Sequence, residues 1–237
     1  MRRFAIVGHR AMSQGKLPLN DMAGGAGRMD VLVRALMASL MTSHGFRKDT
    51  EIILHLQGGP GPNRRIRIDG ADVRGIHAEE RSVAGQIAKV IKETSPPKGR
   101  WIERSKGIWD SRGDIQDTIE DWSDSTIIAL DAGAQRLWNE HSSIPLKSNP
   151  HSKYEEIDDE LLVDGIDIGF ILSDDKPLEG DLPSSVKFRS LGDIWLQGHM
   201  AIGICHFLLD EGVSLNLYES LQPYRILTFT RFQTPCQ

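Results

Sequence analysis

Apolar residues recur along the chain in two periods, and each change of period marks off an element. Arg3 to Gly8 is a short apolar run that predicts a first strand, and Leu17 to Gly27, rich in Gly, Pro and Asn, predicts a loop. From Met29 to His44 the positions Val31, Leu32, Ala35, Leu36, Leu40 and Met41 fall three and four apart, the spacing of one buried helical face, with Gly45 as the stop. Thr50 to Gln57 alternates as a strand, Gly58 to Asn63 must turn, and Arg65 to Asp69 alternates charge with Ile, so the two runs predict a hairpin-like pair. Glu79 to Glu93 carries Val83, Ile87, Val90 and Ile91 on one side and ends at Ser95-Pro96-Pro97, after which the chain reads as a linker up to Arg112.

The alternation then resumes. Ile115 to Trp122 predicts a helix, Thr126 to Leu130 a strand, and Gly169 to Leu172 another strand that ends at Ser173-Asp174-Asp175. Leu196 to Glu211 predicts a last helix whose apolar stripe is Leu196, Met200, Gly203, Ile204, Phe207 and Leu208, with room for close packing at Gly203; Arg225 to Phe232 could add a strand. Between these lies a surface insertion, 139–168, aperiodic at first and then dominated by acidic residues. Alternating elements of this kind predict an α/β sheet.

Composition narrows the class. At 237 residues with 39% hydrophobic and 26% charged content, the chain can bury a sizeable core as one domain and is not disordered throughout. Cys205 and Cys236 are too few for a disulfide framework and lie in no metal-ligand spacing, which predicts a reducing, cytoplasmic setting. The first residues are too briefly apolar for a secretion signal, and no run reaches the ~20 apolar residues that span a bilayer, so no membrane partner is expected. The net charge of −5 conceals an asymmetry: residues 1–112 hold 20 Lys and Arg against 11 Asp and Glu, a net of +9, and residues 113–237 hold 8 against 22, a net of −14. A basic half can attract phosphates whatever the total charge; the alternative is an accident of solvated surface.

Several residues could carry chemistry, each with a plainer alternative. Gly24-Gly25-Ala26-Gly27 precedes a helix, where free N–H groups and the helix dipole attract anions, although a structural turn needs the same glycines. Arg28, Asp30 and Arg34 share that helix start: Asp30 and Arg34 form an ordinary i, i+4 surface pair, or the three present a carboxylate and guanidinium groups to a polar substrate. His44 is either a base or a helix-end cation. His199 and His206 face one way on the last helix but have no companion that completes a metal site, and Cys205 reads as a packed thiol.

The run Leu19-Asn20-Asp21-Met22-Ala23-Gly24-Gly25-Ala26-Gly27-Arg28-Met29-Asp30-Val31-Leu32, continued by Ser43-His44-Gly45-Phe46-Arg47-Lys48-Asp49, resembles the start of the TrmY family of SPOUT methyltransferases. Downstream, His77-Ala78-Glu79-Glu80-Arg81-Ser82, Phe170-Ile171-Leu172-Ser173-Asp174 and Ser190-Leu191-Gly192-Asp193-Ile194-Trp195 resemble its later motifs, in order. The resemblance implies a single SPOUT domain over 1–237, a Rossmann-like α/β sheet with a deep trefoil knot near the C-terminus, and a homodimer with the active site at the subunit interface. It implies methyl transfer from S-adenosylmethionine to N1 of pseudouridine in tRNA, at position 54 of the T-loop. The cofactor would lie against Leu130, Ser173, Asp174, the loop Leu191, Gly192, Asp193, Ile194, Trp195 and Leu196, and Ala201, in the acidic half with the knot. RNA would meet the basic half through Arg28, Arg34, Arg47 and Arg81. Asp30, supported by Arg28, is the candidate base; no metal is implied. Many archaeal members have Cys where Ala201 stands. A different RNA target, ribosomal or at a ribose, and an RNA-binding homologue without catalysis are the competing readings.

Overall fold

A computed structural model describes residues 1–138, 167–178 and 180–217. Its framework is an eight-stranded sheet built from β1 (Arg2–Gly8), β4 (Thr50–Leu56), β5 (Arg64–Asp69), β6 (Ile102–Ser105), β7 (Ile108–Arg112), β8 (Thr126–Leu130), β9 (Ile168–Ser173) and β10 (Lys187–Arg189), in the order β10-β8-β9-β1-β4-β5-β7-β6. The five strands from β10 to β4 are parallel and the remaining three add on antiparallel. A buried parallel strand needs apolar residues on both faces, and β1 supplies them: Phe4 and Ile6 point into one core while Ala5 points into the other.

The larger core lies under α1 (Met29–Leu40), α2 (Glu80–Lys92) and α4 (Gly198–Asp210). On α1, Leu32, Leu36 and Leu40 are at most 1% exposed, and each such burial contributes roughly 1.5–3 kcal/mol against the entropy of the chain. The opposite face is covered by α3 (Ile115–Asp121) and Trp122. Side chains fix where the helices begin: Glu79 accepts the N–H groups of Arg81 and Ser82, and Asp114 with Asp117 forms a reciprocal capping box on α3.

The strands and helices fall where the periodicity puts them, apart from the three-residue β10, which no pattern marks, and four corrections. First, α1 stops at Leu40, because the chain turns into a small hairpin of β2 (Met41–Thr42) and β3 (Gly45–Phe46), and the Arg47 N–H closes the Leu40 carbonyl. His44 therefore caps nothing. Second, the predicted linker is the β6–β7 hairpin at the sheet edge, hidden from a periodicity reading because its buried positions include Asp110 and Ser111. Third, the predicted insertion overreaches: Ile168 opens β9 and the Asp167 carbonyl accepts from Thr126, whereas 139–166 lie outside the described residues, as does the predicted strand at 225–232. Fourth, the buried side of α4 is Ala201, Ile202, Cys205 and Leu208, while Met200, Gly203 and Phe207 face out.

Three loops meet backbone to backbone beside the carboxyl end of β1. Gly27, with φ +66°, and Gly58 both press on the Arg10 carbonyl, which a Cβ would approach to 1.7 Å and 2.0 Å. Only glycine allows that contact, and it fixes the loop after β1 against the start of α1.

Candidate cofactor and substrate site

The carboxyl ends of β8, β9 and β10 open into a cleft of about 250 Å³, the position where open α/β sheets bind ligands. Leu130 and Asp131 leave β8 on one side, Leu172 and Ser173 leave β9 on the other, and Gly198 and Ala201 of α4 close the back. The loop after β10 supplies Leu191, Gly192, Ile194, Trp195 and Leu196. That loop is held from two directions: Ser190 exchanges backbone bonds with Gln135 and Leu137, and its hydroxyl bonds both the N–H and the carbonyl of Gly192. Nine of the ten residues predicted to hold a cofactor line this cleft; Asp193 is exposed and is not among them. Phe188, Pro177 and Leu178 join the lining without having been predicted, since nothing in their local sequence separates them from ordinary loop residues.

The cleft is chiefly apolar, with Ser173, Asp131 and Asp174 as its side-chain polar groups. Ser173 turns its hydroxyl onto the Lys176 carbonyl. The Asp174 side chain is fully buried, and its carboxylate accepts the backbone N–H of His9 at 2.9 Å and of Lys176 at 3.1 Å and faces His9 Nδ1 at 2.8 Å.

Next to the cleft lies a polar cluster built on the start of α1. Arg28 adopts a left-handed conformation (φ 66°, ψ 32°), uncommon outside glycine. Its Nε and Nη2 bond the two oxygens of Asp30 at 3.0 Å and 3.3 Å, and Arg34 adds a further bond to Asp30. The hydrogen bond to Asp30 raises the Arg28 pKa above the usual arginine value. Asp175 ties this cluster to the cleft, accepting from Arg28 Nη1 at 3.3 Å and from Arg10; the Arg10 contact pulls its carboxyl below the usual range. His199, in the first turn of α4, has its pKa lowered by burial and then by Arg34, with Glu80 of α2 acting oppositely. The start of α1 is thus tied to the cleft through Asp175, the neighbour of the lining residue Asp174.

Other predicted residues go elsewhere. The N–H groups of Gly24 and Gly25 are taken by the Asp21 carboxylate at 3.0 Å and 2.7 Å, so the loop carries its own anion. Arg47 bonds Asp210 at 3.0 Å and 2.6 Å, about 13 Å along α4 from Ala201. Arg81 is exposed and its side chain makes no ion pair among the described residues. His206 is buried, with Nε2 facing the Ser39 carbonyl and Nδ1 facing Arg2, and Cys205 is a buried free thiol whose pKa burial pushes up. The basic half is not a separate face, because Arg2, Arg3, Arg10, Arg28, Arg47 and Arg65 all pair with carboxylates from beyond residue 112. Among the described residues no His, Cys, Asp or Glu cluster could hold a metal, and no helix is long and apolar enough to cross a membrane.

The sequence model of one protein family, described as "Putative SAM-dependent RNA methyltransferase", matches residues 1–150. The chain is 30% identical over 211 residues to the tRNA (pseudouridine(54)-N(1))-methyltransferase of Methanosarcina acetivorans, covering 89% of this chain and 92% of that one. The chain belongs to this family, the TrmY methyltransferases. The Methanocella arvoryzae member is 42% identical over 119 residues, covering 50% of this chain and 62% of that relative. Among solved structures, Archaeoglobus fulgidus Nep1 bound to S-adenosylhomocysteine aligns with a TM-score of 0.52 at 13% identity, over 88% of this chain and 97% of that one, and so shares the SPOUT fold. In this TrmY chain the residues that sequence reasoning missed are His9 and Arg10. Two polar residues directly after a buried parallel strand are a usable signal, since strand carboxyl ends are where sites form.

Proposed function

We propose that this chain transfers the methyl group of S-adenosylmethionine to N1 of pseudouridine in tRNA, at position 54 of the T-loop. One observation carries the reading: in a TrmY family member, the apolar cleft at the strand ends adjoins an Arg28–Asp30–Arg34 cluster. The residues fit the cofactor chemically. Leucines with Trp195 and Phe188 offer surface for a purine and a thioether, the Gly192 loop offers backbone groups to the purine edge, and Asp131 offers a carboxylate to a ribose or an amino group. The cofactor would supply an electrophilic methyl group on a sulfonium. The protein would then exclude water, hold the base in line with that methyl, and give its polar edge Arg28 and Asp30 to bind. Arg81, exposed at the start of α2 and in no ion pair among the described residues, would take a phosphate.

The finer architecture belongs to the same proposal. The loop after β10 and α4 would form the deep trefoil knot, and a second copy would pack on α4 to complete the site at the subunit interface. Met200 and Phe207 are 52% and 50% exposed, and Ile194 and Trp195 beside them are 76% and 67% exposed. Added atoms at Gly203 would meet nothing within 4 Å. This is an apolar face open to close approach, of the kind that marks protein contacts. The setting would be the cytoplasm, where tRNA is modified.

The test is transfer of a labelled methyl group to a T-loop RNA carrying pseudouridine at position 54, with mass spectrometry of the nucleosides. N1-methylpseudouridine is expected. Methylation of a different nucleoside would replace the proposed target, and no transfer despite cofactor binding would leave an RNA-binding homologue.

A further inference from the structure

We infer that His9, oriented by Asp174, accepts the proton that leaves N1 of the target base; the inference rests on the methyltransferase reading above. Strands β1 and β9 are neighbours in register as far as Val7 opposite Ser173, and the Asp174 N–H bonds the Val7 carbonyl at 2.9 Å. The residues that follow, His9 and Asp174, therefore leave the sheet side by side at the end where the cleft opens. The Asp174 side chain is 0% exposed and accepts two backbone N–H groups, those of His9 and Lys176. A carboxylate in that position is an acceptor, so the His9 Nδ1 that faces it at 2.8 Å carries the ring hydrogen. The lone pair is then on Nε2. That nitrogen has no hydrogen-bond partner among the described residues, nor is it among the sealed polar atoms. The imidazole is 7% exposed and so fixed in place with one acceptor atom available.

The surrounding charges assign this role to His9 and not to Asp30. Asp30 has both oxygens engaged by Arg28 and Arg34, which makes it the residue that positions those guanidinium groups. Asp175, adjacent to Asp174, is bound by Arg10 and Arg28, so the cations at this corner face Asp175 and Asp30 and leave Asp174 to the ring. Asp174, which lines the cleft, holds the ring at the strand end beside it, and the next residue, Asp175, ties in the Arg28–Asp30 pair. As the new N–C bond forms at N1 and the C–S bond gives its electron pair to sulfur, Nε2 takes the N1 proton. Asp174 balances the imidazolium, which returns the proton to water. A positioned base of this kind contributes about 10²–10⁴ in rate.

The decisive variant is His9→Asn, whose amide keeps a donor for Asp174 but has no ring nitrogen beyond it. Single-turnover methylation of a pseudouridine T-loop RNA should fall by about 10²–10⁴, with calorimetric affinities for S-adenosylmethionine and RNA within about twofold of the wild type. Added imidazole, and alkaline buffer in which hydroxide removes the N1 proton, should each restore part of that rate. In the ligand-free wild-type protein, imidazole ¹⁵N NMR should show His9 as the Nδ1–H tautomer, and Asp174→Asn should abolish that preference. A His9→Asn rate within threefold of wild type, a slow variant that neither imidazole nor alkali rescues, or an Nε2–H tautomer would overturn the assignment. Absence of methyl transfer by the wild-type protein would overturn the parent reading instead, and this role with it.

Discussion

Replacing Asp110 by Ala should destabilise the fold by about 3–5 kcal/mol, the usual result of leaving a buried charge without its partner. Arg64 and Asp110 are both fully buried, and the guanidinium bonds the carboxylate through Nε at 2.8 Å and Nη2 at 2.5 Å. Its remaining N–H groups bond the carbonyls of Val90 at 2.8 Å, Glu93 at 3.0 Å and Ser13 at 3.3 Å. One side chain thus joins β5 to β7, to the end of α2 and to the loop after β1. Those three carbonyls stay in place when the carboxylate goes, so the guanidinium keeps part of its solvation and the loss should fall toward 3 kcal/mol. For a chain of this size that corresponds to a melting temperature lower by roughly 6–12 °C. Urea unfolding followed by circular dichroism measures it. The cleft lies beside β9, four strands and about 19 Å from β7, so the folded fraction should bind S-adenosylmethionine with unchanged affinity. Arg64→Met combined with Asp110→Leu should recover part of the stability, because the fully buried pair is gone, although Arg104, which also bonds Asp110, keeps only its bond to the Thr94 carbonyl. A loss under about 1 kcal/mol for Asp110→Ala would refute the idea that this pair fastens the edge of the sheet.

Three further outcomes are expected. Burial, helped by Arg65, pushes His55 down to about 3, and burial with Arg47 pushes His206 to about 4. The unfolded rings protonate first, so stability should fall as the pH drops from about 6.5 to about 4, by roughly 3 kcal/mol for each ring; urea titrations of His55→Gln and His206→Gln that keep the wild-type pH dependence would contradict this. Phe207→Glu, on the exposed side of α4, should shift sedimentation from the proposed dimer to monomer while leaving the melting temperature of the monomer unchanged. Arg81→Ala should weaken tRNA binding and reduce the slope of log K against log salt by about 1, whereas Arg47→Ala should leave that slope unaltered, because Asp210 already neutralises Arg47.

The fold was legible where a short run was apolar throughout, or where apolar residues recurred at every second or every third to fourth position. That covers β1, β4, β8 and β9, the body of α1, and α2. It failed at β6 and β7 because burial there is of Asp110 and Ser111, and a buried polar residue makes sense only once its partner, Arg64, is known to lie on the next strand. It failed on α4 for the opposite reason. Both sides of that helix are apolar, so periodicity could not tell the stripe that meets α1 from the one that stays exposed. The cleft residues were found by resemblance to family motifs, not by pattern. Ser173, Gly192 and Ala201 come from three separate segments, and only the parallel pairing of β8, β9 and β10 brings them to one place.

Charge shows the same limit from another side. Read along the sequence, a net of +9 followed by a net of −14 suggests a basic face for RNA and an acidic body for the cofactor. In three dimensions the two halves interleave, because β9, from the acidic half, inserts beside β1, from the basic half. Strand pairing of that kind sets Arg3 against Asp167 and Arg10 against Asp175, and the packing of α4 on α1 sets Arg47 and Arg2 against Asp210. A guanidinium already paired with a carboxylate releases few counterions on meeting a phosphate, so it adds little to RNA affinity. The attraction must come from cations outside these pairs. On α2, Arg81, Lys89 and Lys92 are exposed and make no ion pair among the described residues. The surface proposed to meet RNA is therefore narrower than half the chain. On the proposed reading the exposed cations of α2 supply part of that attraction, and the salt slope of Arg81→Ala measures how much.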